Sequence, residues 1–252
     1  MSSHEKYDRK SEYSYAIGAF PSFEVLMFSP EKCIKIFVSD RTSGEGIEKL
    51  INQCKINNIK IEVAPRLLQR ISGKKNTFVA MLVKKSFTEL AQDKNHIVLH
   101  NIMDAGNLGT IMRSALGFGF HDIAIIKPAT DPYEPQTIRA SMGSIFRLNC
   151  QEFDSFDDYN SLYKDRELYP FMLNASYSLK ELAEIQAKSK KNYSLIFGNE
   201  GSGLPNEFKN LGKPCRIFHS SEIDSLNLSV AASIAMQRFT EENYKEEKIG
   251  KL

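Results

Sequence analysis

The chain is short of several things. No stretch approaches the ~18 consecutive apolar residues of a membrane helix, so no span is expected. The first ten residues, Met1 to Lys10, are polar and of both charge signs; they do not read as a secretory signal, and the first dozen are expected to fray. The four cysteines, Cys33, Cys54, Cys150 and Cys215, are too scattered for a zinc site or a redox pair. They read as free, buried thiols in a reducing cytoplasm. No cluster of His, Cys and carboxylate stands at ligand spacing, so no metal is expected. Net charge is also scarce: 33 Lys and Arg against 31 Asp and Glu leave +2. That balance by itself does not argue for nucleic acid, whose footprint would be a clustered patch.

What is present is ordinary globular material, with 252 residues, 42% hydrophobic and 25% charged, enough for one or two domains with a real core. Residues 20–85 read as a small alternating unit. Its strands are expected at Ile34–Val38, Lys60–Val63 and Thr77–Val83. An amphipathic helix carries Ile47, Leu50, Ile51 and Cys54, and a short one opens at Pro65 and runs through Leu67, Leu68 and Ile71. A polar linker over 86–95 separates this N-terminal domain, 1–85, from a second domain, 96–252, expected to have a core of its own. There, short apolar runs at Ile97–Leu99, Ile123–Ile126, Phe171–Leu173, Ser194–Phe197 and Arg216–Phe218 read as doubly buried strands. Helices are expected between and after them at about 108–118, 179–187, 204–211 and 228–246. The pattern predicts an α/β fold, a mostly parallel sheet with helices on both faces.

Three segments concentrate polar residues and glycines where a strand becomes a helix, the place where ligand chemistry gathers in such folds. The first, Asn101–Ala115, holds Asn107, placed to cap a helix whose buried stripe is Ile111, Ala115 and Phe118. Arg113 falls off that stripe. From spacing alone, Asn107 reads equally as a plain cap and Arg113 as a surface side chain. The second, Gly198-Asn199-Glu200-Gly201-Ser202-Gly203, has three glycines in six residues. It is neither the dinucleotide fingerprint nor a P-loop, and a plain glycine-rich turn with an exposed Glu200 remains open. The third, Ser225-Leu226-Asn227-Leu228-Ser229, precedes a long helix and offers ordinary N-cap residues. That helix puts Val230, Ile234 and Arg238 on one stripe, with Ala231, Ala235 and Phe239 beside it.

In this order the three segments resemble the motifs of the SpoU/TrmH family, ribose 2′-O-methyltransferases of the SPOUT superfamily. The first motif's Asn, Arg, Ala and Gly are similar to Asn107, Arg113, Ala115 and Gly117, the second matches the Gly-Asn-Glu-Gly-x-Gly core, and the third matches Ser-Leu-Asn-x-Ser-x-Ala. The resemblance implies a catalytic set of Arg113, Asn107, Glu200, Ser225 and Asn227, with Ser225 and Asn227 facing Arg113 and Asn107. It implies S-adenosylmethionine as cofactor, held by Asn174, Ser176, Gly198, Asn199, Gly201, Gly203, Ile217, Phe218, His219, Leu226 and Ser229. It also implies a C-terminal trefoil knot, a homodimer and an RNA substrate. The first 85 residues resemble, more weakly, the family's substrate-binding domain, whose fold is like kink-turn-binding ribosomal proteins. Within it Arg66, Arg70, Lys74, Lys75, Lys84 and Lys85 offer a phosphate-contacting set, or a solvated charged face. Arg139–Phe146 resembles a segment of members acting on large-subunit ribosomal RNA, the thiostrepton-resistance type among them. Ribosomal RNA is therefore expected, with transfer RNA the alternative.

One departure stands upstream of the third motif. Where the family usually has Ile-Pro-Met and then Gly, this chain reads Ile217-Phe218-His219-Ser220-Ser221. The altered stretch supports a rival, a non-catalytic RNA-binding protein that has kept the fold; the joint presence of the five catalytic residues weighs against it.

Overall fold

The computed structural model describes residues 6–41, 44–74, 76–189 and 191–241. Two sheets follow one another along the chain. The first is built from β1 (Tyr13–Ile17), α1 (Ala19–Phe28), β2 (Cys33–Val38), α2 (Glu45–Ile56), β3 (Lys60–Val63), α3 (Pro65–Ser72) and β4 (Val79–Lys84). Its strand order is β1-β4-β2-β3, with β4 antiparallel to both neighbours and β2 parallel to β3. Proline opens α3, and Gly73, at φ +66°, closes it in the left-handed conformation that glycine tolerates best.

The second part begins with β5 (His96–His100), α4 (Ala105–Gly117), β6 (Asp122–Ile126) and α5 (Pro135–Ala140). It continues through β7 (Asn149–Phe153), α6 (Phe156–Leu162), β8 (Glu167–Pro170), β9 (Tyr177–Ser178) and α7 (Leu179–Lys188). It ends with β10 (Tyr193–Phe197), β11 (Cys215–Arg216) and α8 (Leu228–Thr240). Five strands in the order β7-β6-β5-β10-β8 are all parallel, and β9 pairs with β11 apart from them. Side chains alternate across this sheet as the pleat requires. Ile97, Leu99, Ile123 and Ile125 join the cluster with Leu108, Ile111 and Met112 of α4 and Ala232 and Ala235 of α8. Val98, Ala124, Ile126 and Ile196 join Phe156 and Tyr159 of α6 and Phe208 of a 3-10 turn, Asn206–Asn210. Both faces are covered, and each fully buried aliphatic side chain contributes roughly 1.5–3 kcal/mol. Among the described residues no helix is long and apolar enough to cross a membrane.

The sheets share a core. Ala16, Val25 and Leu26 of the first part lie in one buried cluster with Ile138, Ile145 and Phe146 of the second. Polar ties reinforce it. Ser29 Oγ donates to the Phe146 carbonyl at 2.7 Å, and Ser14 Oγ donates to that of Tyr133. Lys85 Nζ meets Asp131 at 2.9 Å, both side chains only 7% exposed.

Several expectations are corrected. Residues 6–12 do not fray: Tyr7 donates to Asp131, and Arg9 donates to the Ala129 carbonyl at 2.7 Å. Residues 1–5 of the expected tail lie outside the described residues. Lys85 is no phosphate contact, because it is buried against Asp131; Lys75 lies outside the described residues. The strand expected at Phe171–Leu173 sits earlier, at β8; Phe171 bridges to Cys215, and its N–H donates to the Ile196 carbonyl at 2.9 Å. That expected at Arg216–Phe218 shifts to β11, which overlaps it only at Arg216, where β9 offers a partner for just two residues; Phe218 is 71% exposed. The helix expected at 204–211 is the 3-10 turn, and that expected to reach 246 is α8, with 242–246 outside the described residues. On α8, Ala232, Ala235 and Met236 face inward, and Val230 and Ile234 of the expected stripe are exposed.

The four cysteines are buried and free of disulfides, and burial pushes the thiols of Cys33, Cys150 and Cys215 up to about 12 and that of Cys54 up to about 11. They are protonated and inert at neutral pH.

Candidate functional site

In the five-stranded sheet the chain runs outward from β5 to β6 and β7, then crosses over to lay β8 and β10 on the other side. The order therefore reverses between β5 and β10. The crevice beyond the carboxyl ends of two such strands is where open α/β sheets bind ligands. The loops leaving these two strands meet there.

The loop after β5 carries Asn101 at φ 60°, then enters α4. Asp104, not the expected Asn107, caps that helix, its side chain accepting from the Asn107 N–H at 2.6 Å. Asn107 sits one turn inside, and its amide is left for other partners. Nδ2 donates to Glu200 Oε1 at 3.3 Å, and Oδ1 accepts from Asn227 Nδ2 at 3.1 Å.

The loop after β10 folds back on itself. Gly203 N–H donates to the Asn199 carbonyl at 3.0 Å, and Asn199 Oδ1 accepts from the N–H groups of Gly201 and Ser202 at 3.0 and 3.1 Å. A Cβ at Gly198 would lie 2.3 Å from the Gly203 carbonyl carbon, so only glycine fits this crossing. Asn199 Nδ2 donates to the Asn101 carbonyl at 2.9 Å, joining the two loops.

Glu200 gathers these parts. Its carboxylate accepts from the N–H groups of Met103 and Asp104 at 3.3 and 3.2 Å and from the amides of Asn107 and Asn199 at 3.3 and 3.2 Å. A negative group is thereby held against the amino end of α4, where the helix dipole favours it. Asn227 caps α8, accepting from Ser229 N–H at 2.9 Å and Val230 N–H at 3.3 Å. The three segments are thus tied by one chain of hydrogen bonds, Asn227 to Asn107 to Glu200.

Arg113 lies elsewhere on α4. It is exposed, about 9 Å along the helix from Asn107 at 1.5 Å per residue, and has no hydrogen-bond or ion-pair partner among the described residues. Among the described residues no hydrogen bond joins Arg113 to Ser225 or Asn227, whereas Asn227 does meet Asn107.

A cavity of about 320 Å³ adjoins the network. Phe171, Met172, Leu173, Cys215, Ile217 and Leu226 give it an apolar body, and Asn174, Ser202, Asn206, His219 and Ser225 give it polar edges. Five of the expected cofactor residues line it: Asn174, Gly203, Ile217, His219 and Leu226. Six do not. Phe218 points outward, Ser176 is exposed, Gly198, Asn199 and Gly201 form the supporting turn, and Ser229 is packed against the Asn227 cap. Residue patterns missed Phe171–Leu173, which read as a strand, and Asn206 and Cys215, which carry no local signal. His219 Nδ1 is 3.0 Å from the Ser220 carbonyl, and its Nε2 is buried without a partner among the described residues. With Nδ1–H donating to that carbonyl, Nε2 is an unused acceptor.

Residues 94–237 match the model of the SpoU rRNA methylase family. Over 241 residues, 89% of this chain and 94% of the other, the chain is 26% identical to a Bacillus subtilis protein, YacO, assigned to the TrmH family of tRNA/rRNA methyltransferases. It is 33% identical over 132 residues to mitochondrial rRNA methyltransferase 3 of Xenopus tropicalis, covering 50% of this chain but 29% of that protein. Its fold is similar to that of an AdoMet-bound rRNA methyltransferase from Sinorhizobium meliloti, with a TM-score of 0.76 at 24% identity, covering 92% of this chain and 88% of that one.

Proposed function

Since this chain belongs to the SpoU rRNA methylase family, we propose that it transfers the methyl group of S-adenosylmethionine to a ribose 2′-hydroxyl of ribosomal RNA. The observation that carries this reading is the convergence of the Asn107, Glu200 and Asn227 side chains beside the 320 Å³ cavity at the switch point.

The cavity suits the cofactor's nucleoside end. It is at the lower end of ligand-pocket size, apolar within and polar at the edge, where His219 offers an unused acceptor. Asn174, Ser202, Gly203, Ile217, His219 and Leu226 would hold it. The cofactor supplies an activated methyl group on a sulfonium centre. The protein must hold a ribose hydroxyl in line with that group and favour loss of its proton as attack proceeds. Arg113, always protonated, suits the second task as a stabiliser of developing negative charge on the 2′-oxygen and as a contact to the adjoining phosphate. Its exposure, together with that of Val230 and Ile234 on the neighbouring α8, supports a homodimer in which the site is completed across the interface. The reading carries with it the C-terminal trefoil knot that the family resemblance implies.

The test is calorimetric titration with S-adenosylmethionine, then transfer of labelled methyl to bulk RNA and mapping of the methylated ribose in a deletion strain. Binding with transfer to a ribosomal 2′-hydroxyl is expected. Cofactor binding without transfer to any RNA would make the protein a non-catalytic RNA binder, and transfer to transfer RNA alone would reassign the substrate.

A further inference from the structure

A second concavity, far larger than the cofactor cavity, lies between the first sheet and α5. Its volume is about 1120 Å³. One wall comes from the turn before α1, the end of α3 and the start of β4; the other is α5. At its inner end it reaches Gly106, the residue before Asn107.

Its charge is one-sided. Lys6, Arg70, Lys74 and Arg139 line it and all are exposed; among the described residues lining it the one carboxylate is Glu134, which accepts from Thr130 Oγ1 at 2.9 Å. In a chain with a net charge of only +2, this is a local concentration that suits a polyanion. Its floor, however, is apolar. Ile17, Ile71 and Val79 contribute, and Phe78 keeps 42% of its surface exposed at the edge of the cleft.

These two properties select the form of the polyanion. A paired RNA helix presents phosphates and ribose hydroxyls, and its bases are stacked away inside. Such a duplex would use the cations and leave the apolar floor wet. An unpaired strand uses both, with phosphates on the cations and bases on the aromatic and aliphatic surface. We propose that this cleft holds unpaired nucleotides of the substrate RNA, with a base stacked on Phe78 and the backbone on Arg70, Lys74 and Arg139, and leads the strand to Gly106 and the Asn107–Glu200 pair. The inference rests on the RNA methyltransferase reading above and adds the form of RNA recognised and the residues of both walls that recognise it.

The experiment is fluorescence anisotropy on the full chain with a short, unstructured, labelled RNA and with the same strand annealed to its complement. The single strand is expected to bind at least about tenfold tighter than the duplex at the same salt. Phe78→Leu, which keeps the apolar packing, should weaken single-strand binding by about tenfold, and Phe78→Tyr should restore it. Arg139→Ala should weaken binding and lower the slope of log K against log salt by about one. Affinity for S-adenosylmethionine, measured by calorimetry, should stay unchanged in all three variants and so report an intact fold. Equal binding of single strand and duplex, or no response to Phe78→Leu, would overturn the cleft assignment; if bulk RNA is still methylated, the methyltransferase reading survives it. Failure of the wild-type chain to bind either RNA, together with no methyl transfer, would remove that reading and the cleft assignment with it.

Discussion

Glu200 is the side chain on which the candidate site converges. It accepts from four uncharged donors, on the loop before α4, on α4 itself and on the loop after β10. Glu200→Ala would leave two backbone N–H groups and the Asn107 amide without this acceptor, while Asn199 Nδ2 keeps the Asn101 carbonyl, at a cost of about 1–3 kcal/mol, with water lowering it because the site is half-buried. Denaturant midpoints should show that loss, and methyl transfer should fall with it. Arg113 predicts the opposite pattern. Being exposed, Arg113→Ala should leave stability within about 0.5 kcal/mol and cofactor affinity within a few fold, while transfer is abolished. A parallel loss of cofactor binding in calorimetry would instead make Arg113 part of the cofactor site. A third residue governs the response to acid. His96 is buried between the Tyr159 hydroxyl at 3.0 Å and the Ala91 carbonyl at 2.9 Å. Burial is the main reason its pKa falls from 6.5 to about 4, with Arg166 adding to the effect. The folded protein thus resists a proton that the unfolded chain accepts. The stabilisation is fully present above pH 6.5 and is lost as pH falls toward about 4, where both states are protonated. Urea midpoints across that window should decline for the wild type and decline less for His96→Gln.

The elements differ in how much of themselves they showed beforehand. Ile97–Leu99, Ile123–Ile126 and Ser194–Phe197 are continuous apolar runs because both faces of their strands are covered, and β5, β6 and β10 fall on them. β7 reads Asn-Cys-Gln-Glu-Phe and lies at the sheet edge, so it has no such run. α1 carries apolar residues nearly all round, with Pro21 inside, and shows no helical period; Phe20, Met27 and Phe28 remain exposed on it. The candidate site was legible where a side chain acts through its own loop, as at Asn199 and Asn227. Arg113 was legible as a residue, but its lack of a hydrogen-bond or ion-pair partner among the described residues was not, because that depends on how α4 lies. Asp104 took the cap expected of Asn107, since its carboxylate accepts from the Asn107 N–H and starts the helix three residues earlier, which frees the Asn107 amide for Glu200. Gly198 shows the limit of a composition argument: glycine content suggested a turn, whereas the need is a close crossing with Gly203. Gly198→Ala should therefore displace the 199–204 backbone rather than merely stiffen it. The expected outcome is loss of measurable cofactor binding with a large fall in melting temperature, and an unchanged cofactor affinity would show that the crossing can open.

At the scale of the molecule, the question is whether residues 96–252 stand alone, as their alternating pattern first suggests. The shared core argues otherwise. Cutting the chain at Asn95 would strip Ala16, Val25 and Leu26 from a cluster that also holds Ile138, Ile145 and Phe146. It would also leave Asp131 without Lys85 and Tyr7, in a place where the carboxylate side chain is only 7% exposed. Breaking one side of a buried ion pair costs about 3–5 kcal/mol, a large share of the roughly 5–15 kcal/mol that holds a typical domain folded. The same node can be probed without truncation. Asp131→Ala should lower stability by about that amount, because Lys85 stays buried and unpaired, and the double variant Asp131→Ala with Lys85→Met should recover part of it. A chain beginning at Asn95 is accordingly expected to unfold at lower denaturant than the full protein and to expose apolar surface around α5, measurable as dye binding under native conditions. If that shorter chain instead melted cooperatively at the full-length temperature and bound S-adenosylmethionine equally well, the two sheets would be independent units and the ties between them mere docking.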